Sequence, residues 1–119
     1  MAYGVDGCRG GWLVVSFSNR SGFESAFPVG SFAEVVEQTQ DGNLVLIDIP
    51  IGLPDAKHPT RSCDQEARRL LGQRRSSVFP APARAALGAT TYSETCRLNR
   101  GALGKGLSRQ TWGICNTIT

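Results

Sequence analysis

"NLVLIDIP", residues 43–50, is an apolar run broken by one carboxylate, Asp48, and closed by Pro50. A short unbroken run of this kind, ended by a turn former, predicts a strand buried on both faces, hence central and parallel to a neighbour. Just before it, "SFAEVVEQTQDG" (31–42) places Ser31 and Glu34 at capping-box spacing, Phe32, Val35 and Val36 on one face, and Gly42 as a stop. That pattern predicts a short amphipathic helix. Further upstream, "AYGVDGC" (2–8) and "WLVVSFS" (12–18) are β-rich runs joined by Arg9-Gly10-Gly11, and "GFESAFPV" (22–29) follows the turn Asn19-Arg20-Ser21-Gly22. Two successive hairpins are expected there. The predicted fold class is therefore α/β: a mixed sheet made of a three-stranded meander, a helix and a parallel fourth strand, followed by short helices.

Beyond Pro50 the texture changes. "IGLPDAKHPT" (51–60) reads as a loop, and "SCDQEARRLLG" (62–72) as a helix with a second capping box, Ser62 and Gln65. Ala67, Leu70 and Leu71 are expected to face inward, Arg68 and Arg69 outward, and Gly72 to stop the helix. "QRRSSVFPAPARAALGA" (73–89) carries Arg74 and Arg75 into a proline-punctuated link and an alanine-rich turn. Two further helices are expected over "TYSETCRLNRG" (91–101) and "LSRQTWGICNTI" (107–118), the latter with Trp112, Cys115 and Ile118 on one side. Repeats and low-complexity tracts are absent from the sequence. One domain is expected over residues 1–119, with a sheet part over 1–50 and a basic helical part over 57–119.

Composition narrows the class. Apolar residues make up 40% and charged residues 19% of 119, which are globular values. No run of about 18 apolar residues exists to cross a bilayer, and the N-terminus lacks a basic segment followed by an apolar one, so a cytoplasmic protein is expected. Cys8, Cys63, Cys96 and Cys115 form no C-x-x-C pair and are expected as reduced thiols. The net charge of +3 is unevenly placed: two arginines against seven acids over residues 1–56, eleven basic groups against three acids over 57–119. Eleven of the thirteen basic residues are Arg, whose planar fork grips phosphate in two places. An acidic half and an arginine-rich half suggest a phosphate-bearing ligand near carboxylates, although ordinary solvated helix faces account for the same charges.

Asp48 carries most of the chemical information. A charged carboxylate inside an apolar strand costs several kcal/mol unless backbone donors, an arginine or a cation meets it. It could serve a neighbouring loop. Alternatively, Asp6 on the first strand and Asp48 on the fourth lie side by side where two parallel strands end, and a divalent metal relieves their repulsion. Hard oxygen donors without a companion histidine or thiolate motif favour Mg²⁺. Gly7, Gly10 and Gly11 would leave backbone amides open to a phosphate, but a tight hairpin explains them equally. The phosphate loop G-x-x-x-x-G-K-[ST], the fingerprint G-x-G-x-x-G and the nucleophile motif G-x-S-x-G are all missing. His58, between loop residues and Pro59, is expected to be exposed.

Four separated segments, "GVDGCRGGW" (4–12), "IDIPIGLP" (47–54), "RSCDQEARRLLGQRRSSVFPAPARAAL" (61–87) and "NRGALGKGLSRQTW" (99–112), together resemble domain of unknown function family 429, a family of predicted nucleases placed in the ribonuclease H-like superfamily. The resemblance implies a sheet ordered 3-2-1-4-5 with the first and fourth strands adjacent and parallel. It matches Asp6 to the first metal-binding carboxylate of the superfamily and Asp48 to the one at the fourth strand. Asp64 and the arginines of the third segment match positions of unassigned role. Family members are longer, and the fifth strand and a later acidic motif would lie past Thr119, so the chain reads as an N-terminal half. The unpaired strand edge this leaves would favour association with a second copy.

The expected function is metal-dependent cleavage of a nucleic acid, DNA or RNA, with Mg²⁺ or Mn²⁺ held by Asp6 and Asp48 and a further contact from Asp64. Arg9, Arg61, Arg68, Arg74, Arg75 and Arg84 would hold phosphates. Two other readings stay open. The D-G-x-x-G-G turn is also similar to the first phosphate loop of actin-like sugar kinases and ATPases, in which case Asp6 would position Mg-ATP and Asp48 serve as a base. A non-catalytic nucleic-acid binder would use the arginines alone and keep binding when metal is chelated.

Overall fold

Alternating apolar side chains along residues 12–17 need one dry face, and three antiparallel strands provide it. In the computed structural model, which describes residues 1–118, β1 (Ala2–Cys8), β2 (Gly11–Ser18) and β3 (Gly22–Val29) form a meander. Helix α1 (Phe32–Gln38) leads into β4 (Leu44–Ile47), which pairs parallel with β1, giving the order β3-β2-β1-β4. The molecule is thus α/β with a mixed sheet, three strands antiparallel and one parallel, consistent with a ribonuclease H-like arrangement. The described residues divide into two units, Met1–Ile49 and Pro50 onward.

In the first unit the core lies between the sheet and α1. Tyr3, Val5, Trp12, Val14 and Val35 are buried together, with Phe27, Val29, Val45, Ile47 and Ile49 packed against them. Full burial of a valine such as Val14 or Val35 contributes about 1.5–3 kcal/mol. Ser31 caps α1 as its spacing predicts: its hydroxyl accepts from Glu34 N, while the Glu34 carboxylate accepts from Gly30 N and the Ser31 hydroxyl. The helix ends earlier than Gly42, at Thr39, whose hydroxyl donates back to the Val35 carbonyl. Gly42 has another duty, since a Cβ there would lie 2.8 Å from the Tyr3 ring.

β4 corrects the first expectation. Only alternate residues, Val45 and Ile47, face the core; Leu44 and Leu46 are 53% and 64% exposed. The run is continuously apolar, but its even positions line the sheet's other face, where the cleft described below opens.

The second unit holds α2 (Ser62–Leu71), a 3₁₀ turn (Gly72–Ser77), a short 3₁₀ turn (Arg84–Ala86), α3 (Tyr92–Leu103) and α4 (Arg109–Ile118). Gly72 ends α2 with φ 55°, as expected. Ala67 faces inward and Arg69 outward as expected, but the cap and the placing of Leu70, Leu71 and Arg68 are overturned. Arg61, not Ser62, occupies the N-cap, and no side chain caps the helix. Leu70 and Leu71 are 71% and 41% exposed, whereas Arg61, Asp64, Ala67 and Arg68 turn inward. The charged face is tolerated there because its groups satisfy one another: Arg61 Nη1 donates to both Asp64 oxygens (3.0 and 3.2 Å), and Arg68 Nε and Nη2 donate to the Val78 carbonyl (3.2 and 3.0 Å).

Polar groups also build the interior of this unit. Thr95, Asn99 and Thr111 are buried beside Ala81, Ala83, Ala86, Leu107 and Cys115, and no buried side-chain polar atom among the described residues lacks a partner. Asn99 is central. Its Oδ1 accepts from Ala83 N (2.8 Å) and its Nδ2 donates to the Lys105 carbonyl (2.9 Å), tying the proline-rich link to the loop after α3. Thr111 Oγ1 donates to the Pro80 carbonyl (2.8 Å). Asn99→Ala strands the Ala83 amide and should cost about 2 kcal/mol; urea melts of the two proteins measure it, and an unchanged midpoint would remove Asn99 from this role.

Candidate metal centre

Three adjacent strands present two parallel rungs of side chains on the face opposite α1. Gly4 on β1 is paired with Val15 on β2 and Leu46 on β4, and two residues along Asp6 is paired with Leu13. The Asp48 amide donates to the Val5 carbonyl (2.9 Å), one step past the last paired residues, Val5 and Ile47. The ladder therefore runs on to Asp48 and sets it beside Asp6. Neighbouring strands lie about 4.8 Å apart, and side chains at matched positions on them share a face. The two rungs, Val15-Gly4-Leu46 and Leu13-Asp6-Asp48, line a cleft of about 460 Å³.

The cleft follows from local sequence. Asp6 follows Val5, which is buried in the core, so alternation turns its carboxylate to the opposite, wetter face. Asp48 follows Ile47 in the same way. Gly4 supplies the depth, since nothing lies within 4 Å of where its Cβ would be. The side chains of the two rungs are apolar apart from the two carboxylates, so charge gathers at one end above a floor of Leu13, Val15 and Leu46.

The donor set fits a hard divalent cation. Asp6 and Asp48 would hold it, and both are exposed, so water and a ligand can fill the remaining positions. Among the described residues no group of three His, Cys, Asp or Glu side chains is placed to share a metal. Two protein carboxylates suffice for Mg²⁺, which usually keeps several waters.

Asp64 is not among the residues that line this cleft. It lies in the second unit, its carboxylate occupied by Arg61, with both side chains 16% exposed. The Arg9-Gly10 turn joins β1 to β2 close behind Asp6 in sequence, and no described group pairs with Arg9. The glycines of the turn are accounted for by the hairpin: Gly10 has φ 86°, and a Cβ on Gly11 would lie 2.1 Å from the Val29 carbonyl oxygen.

The remaining arginines sort into engaged and free. Arg61 and Arg68 are tied internally, Arg61 also through Nη2 to the Ile51 carbonyl (3.2 Å). Arg69 and Arg97 hydrogen-bond Glu66 and Glu94 on their own helices and hold those carboxyls below the usual range. Arg109 lies 4.1 Å over the Tyr92 ring. Arg74, Arg75 and Arg84 are exposed, and no described group pairs with their guanidiniums. His58 is exposed, as expected, beside Asp55, whose carboxyl is pulled below its usual range chiefly by the His58 amide. No disulfide joins the four cysteines, and burial raises the Cys115 thiol. No helix among the described residues is long and apolar enough to cross a membrane.

Sequence reasoning missed Asn99 and the Arg61–Asp64 pair. The signals were present: an asparagine in mid-helix, where a solvated side chain gains nothing, and opposite charges three residues apart.

No curated protein and no solved structure matches the chain. A family model does, over residues 4–119, which takes in the cleft, both carboxylates and the arginine-rich helices. The chain belongs to the family described as "Protein of unknown function (DUF429)".

Proposed function

We propose that this chain carries the metal-binding sheet of a nuclease that hydrolyses phosphodiester bonds in nucleic acid. The observation that supports it is that Asp6 and Asp48, one step past the last paired residues of two parallel strands, both line one cleft of about 460 Å³. Mg²⁺ or Mn²⁺ held there would supply activation of an attacking water and stabilisation of charge on the scissile phosphate. The chain's own groups do the rest. Asp6 and Asp48 fix the position of the cation on rigid strands, and Leu13, Val15 and Leu46 offer an apolar floor for a sugar or base. A cleft of this size suits a nucleotide unit.

The free guanidiniums of Arg74, Arg75 and Arg84 supply phosphate contacts in this reading. Arg74→Ala and Arg75→Ala should each weaken binding alike for every sequence and lower the slope of log affinity against log salt by about 1. Fluorescence anisotropy of a labelled oligonucleotide at several salt concentrations measures this; an unchanged slope in both variants would free these residues of the role.

The phosphotransferase alternative needs open amides around Asp6, and Gly10 and Gly11 already serve the hairpin. Thermal melts separate the two. The nuclease reading expects protection by oligonucleotide with Mg²⁺, DNA and RNA tested in parallel, and none by ATP with Mg²⁺; the reverse result overturns it.

A further inference from the structure

A second concavity lies within the helical unit, where the loop before α2, the start of α2, and the loop after α3 meet. Thr60, Arg61, Asp64, Arg68 and Lys105 line it, and its volume is about 40 Å³. A single water needs roughly 10–15 Å³ on this scale, so the space takes the volume of about three to four waters. A tetrahedral oxyanion fits, whereas a nucleoside does not.

Its charge is defined by the pairing around it. Arg61 cancels Asp64 at 3.0 Å, which leaves the charges of Arg68 and Lys105 in excess. Arg68 gives Nε and Nη2 to the Val78 carbonyl and keeps donors in reserve on Nη1. The Lys105 ammonium has no partner among the described residues. Its backbone is held all the same, because the buried Asn99 amide donates to the Lys105 carbonyl. Pro54, Pro59 and Pro80 form the walls, and their fixed φ angles resist collapse of the pocket. The first amides of α2, uncapped by any side chain, add partial positive charge beside Arg61.

We infer that this pocket binds a phosphate group, as the dianion of inorganic phosphate or the terminal monoester of a nucleotide, on Lys105, Arg68 and Arg61. The residues that line it all belong to the second unit, and its occupation does not depend on cleavage.

The test is amide NMR of the whole 119-residue chain titrated with inorganic phosphate, a nucleoside 5′-monophosphate, the nucleoside alone, and acetate. Saturable shifts of Thr60, Arg61 and Lys105 are expected with inorganic phosphate and absent with the nucleoside and acetate. Equal shifts with the monophosphate mark the group as part of a larger ligand, and shifts with inorganic phosphate alone mark a free-phosphate site; the pocket stands in both. Lys105→Gln should weaken phosphate about tenfold, and Lys105→Glu further still. No saturable shift with either phosphate, equal shifts with acetate, or unchanged affinity in both Lys105 variants would overturn the inference. Mn²⁺ binding measured on the same samples reports on Asp6 and Asp48 separately.

Discussion

Asp6→Asn and Asp48→Asn should each lower metal-dependent cleavage by at least about a hundredfold without lowering the melting temperature of the metal-free protein. The first effect follows from what each carboxylate does. On the proposed function, asparagine keeps the shape but removes a formal charge from the pair that would hold the cation, and a positioned divalent ion is worth several kcal/mol of transition-state stabilisation; at 1.36 kcal/mol per tenfold, a loss of about 3 kcal/mol is a hundredfold. The second effect follows from electrostatics. Asp6 and Asp48 are like charges on adjacent strands, so removing one relieves repulsion in the metal-free form. Both side chains are exposed, which leaves no core contact to lose. The double variant should cost little more than either single one, because two ligands of one ion act as a unit. Cleavage of both RNA and DNA at the wild-type rate in the two single variants would refute the assignment.

Gly11→Ala should destabilise the sheet by about 4 kcal/mol, enough to leave much of the protein unfolded. The methyl would sit 2.1 Å from the Val29 carbonyl oxygen and 3.1 Å from Gly30 Cα, both backbone atoms that no rotamer change can move. Overpacking of this kind costs 1–3 kcal/mol or more, and a φ of 156° adds strain for an L residue. Relief requires separating β3 from the start of β2, where Trp12 pairs with Val29. Gly10→Ala meets no neighbour and loses only the left-handed turn conformation at φ 86°, so it should cost about 1–2 kcal/mol. Circular dichroism in urea ranks the three proteins; equal midpoints for Gly11→Ala and wild type would show that the hairpin is looser than its register implies.

The architecture was legible because its signals are local and redundant. The meander, the Ser31 cap and the parallel fourth strand each follow from alternation, capping spacing or an apolar run, and each element leads into the next. What was misread depends on tertiary context. "NLVLIDIP" suggests burial on both faces, but in β4 only Val45 and Ile47 meet the core, and an apolar run alone does not say which faces are covered. In α2, Leu70 and Leu71 looked like the inner face, yet Arg61, Asp64 and Arg68 turned inward because a salt bridge and the Val78 carbonyl satisfied them. The Val78 carbonyl lies 10 residues from Arg68, beyond the reach of periodicity, whereas the Arg61–Asp64 spacing was there to be read. Asp6 and Asp48 stand out because both interrupt β-rich runs, and the adjacency of β1 and β4 agrees with the strand order that the family resemblance implies. Asp64 enters the expected site through a family-matched position of unassigned role, and its carboxylate pairs with Arg61.

A crystal of the full chain soaked in Mn²⁺ tests the central claim most directly. Anomalous difference density between the Asp6 and Asp48 carboxylates, absent in the Asp48→Asn protein, is the predicted result. A fully occupied Mn²⁺ elsewhere on the molecule, with no density between these two side chains, would contradict it.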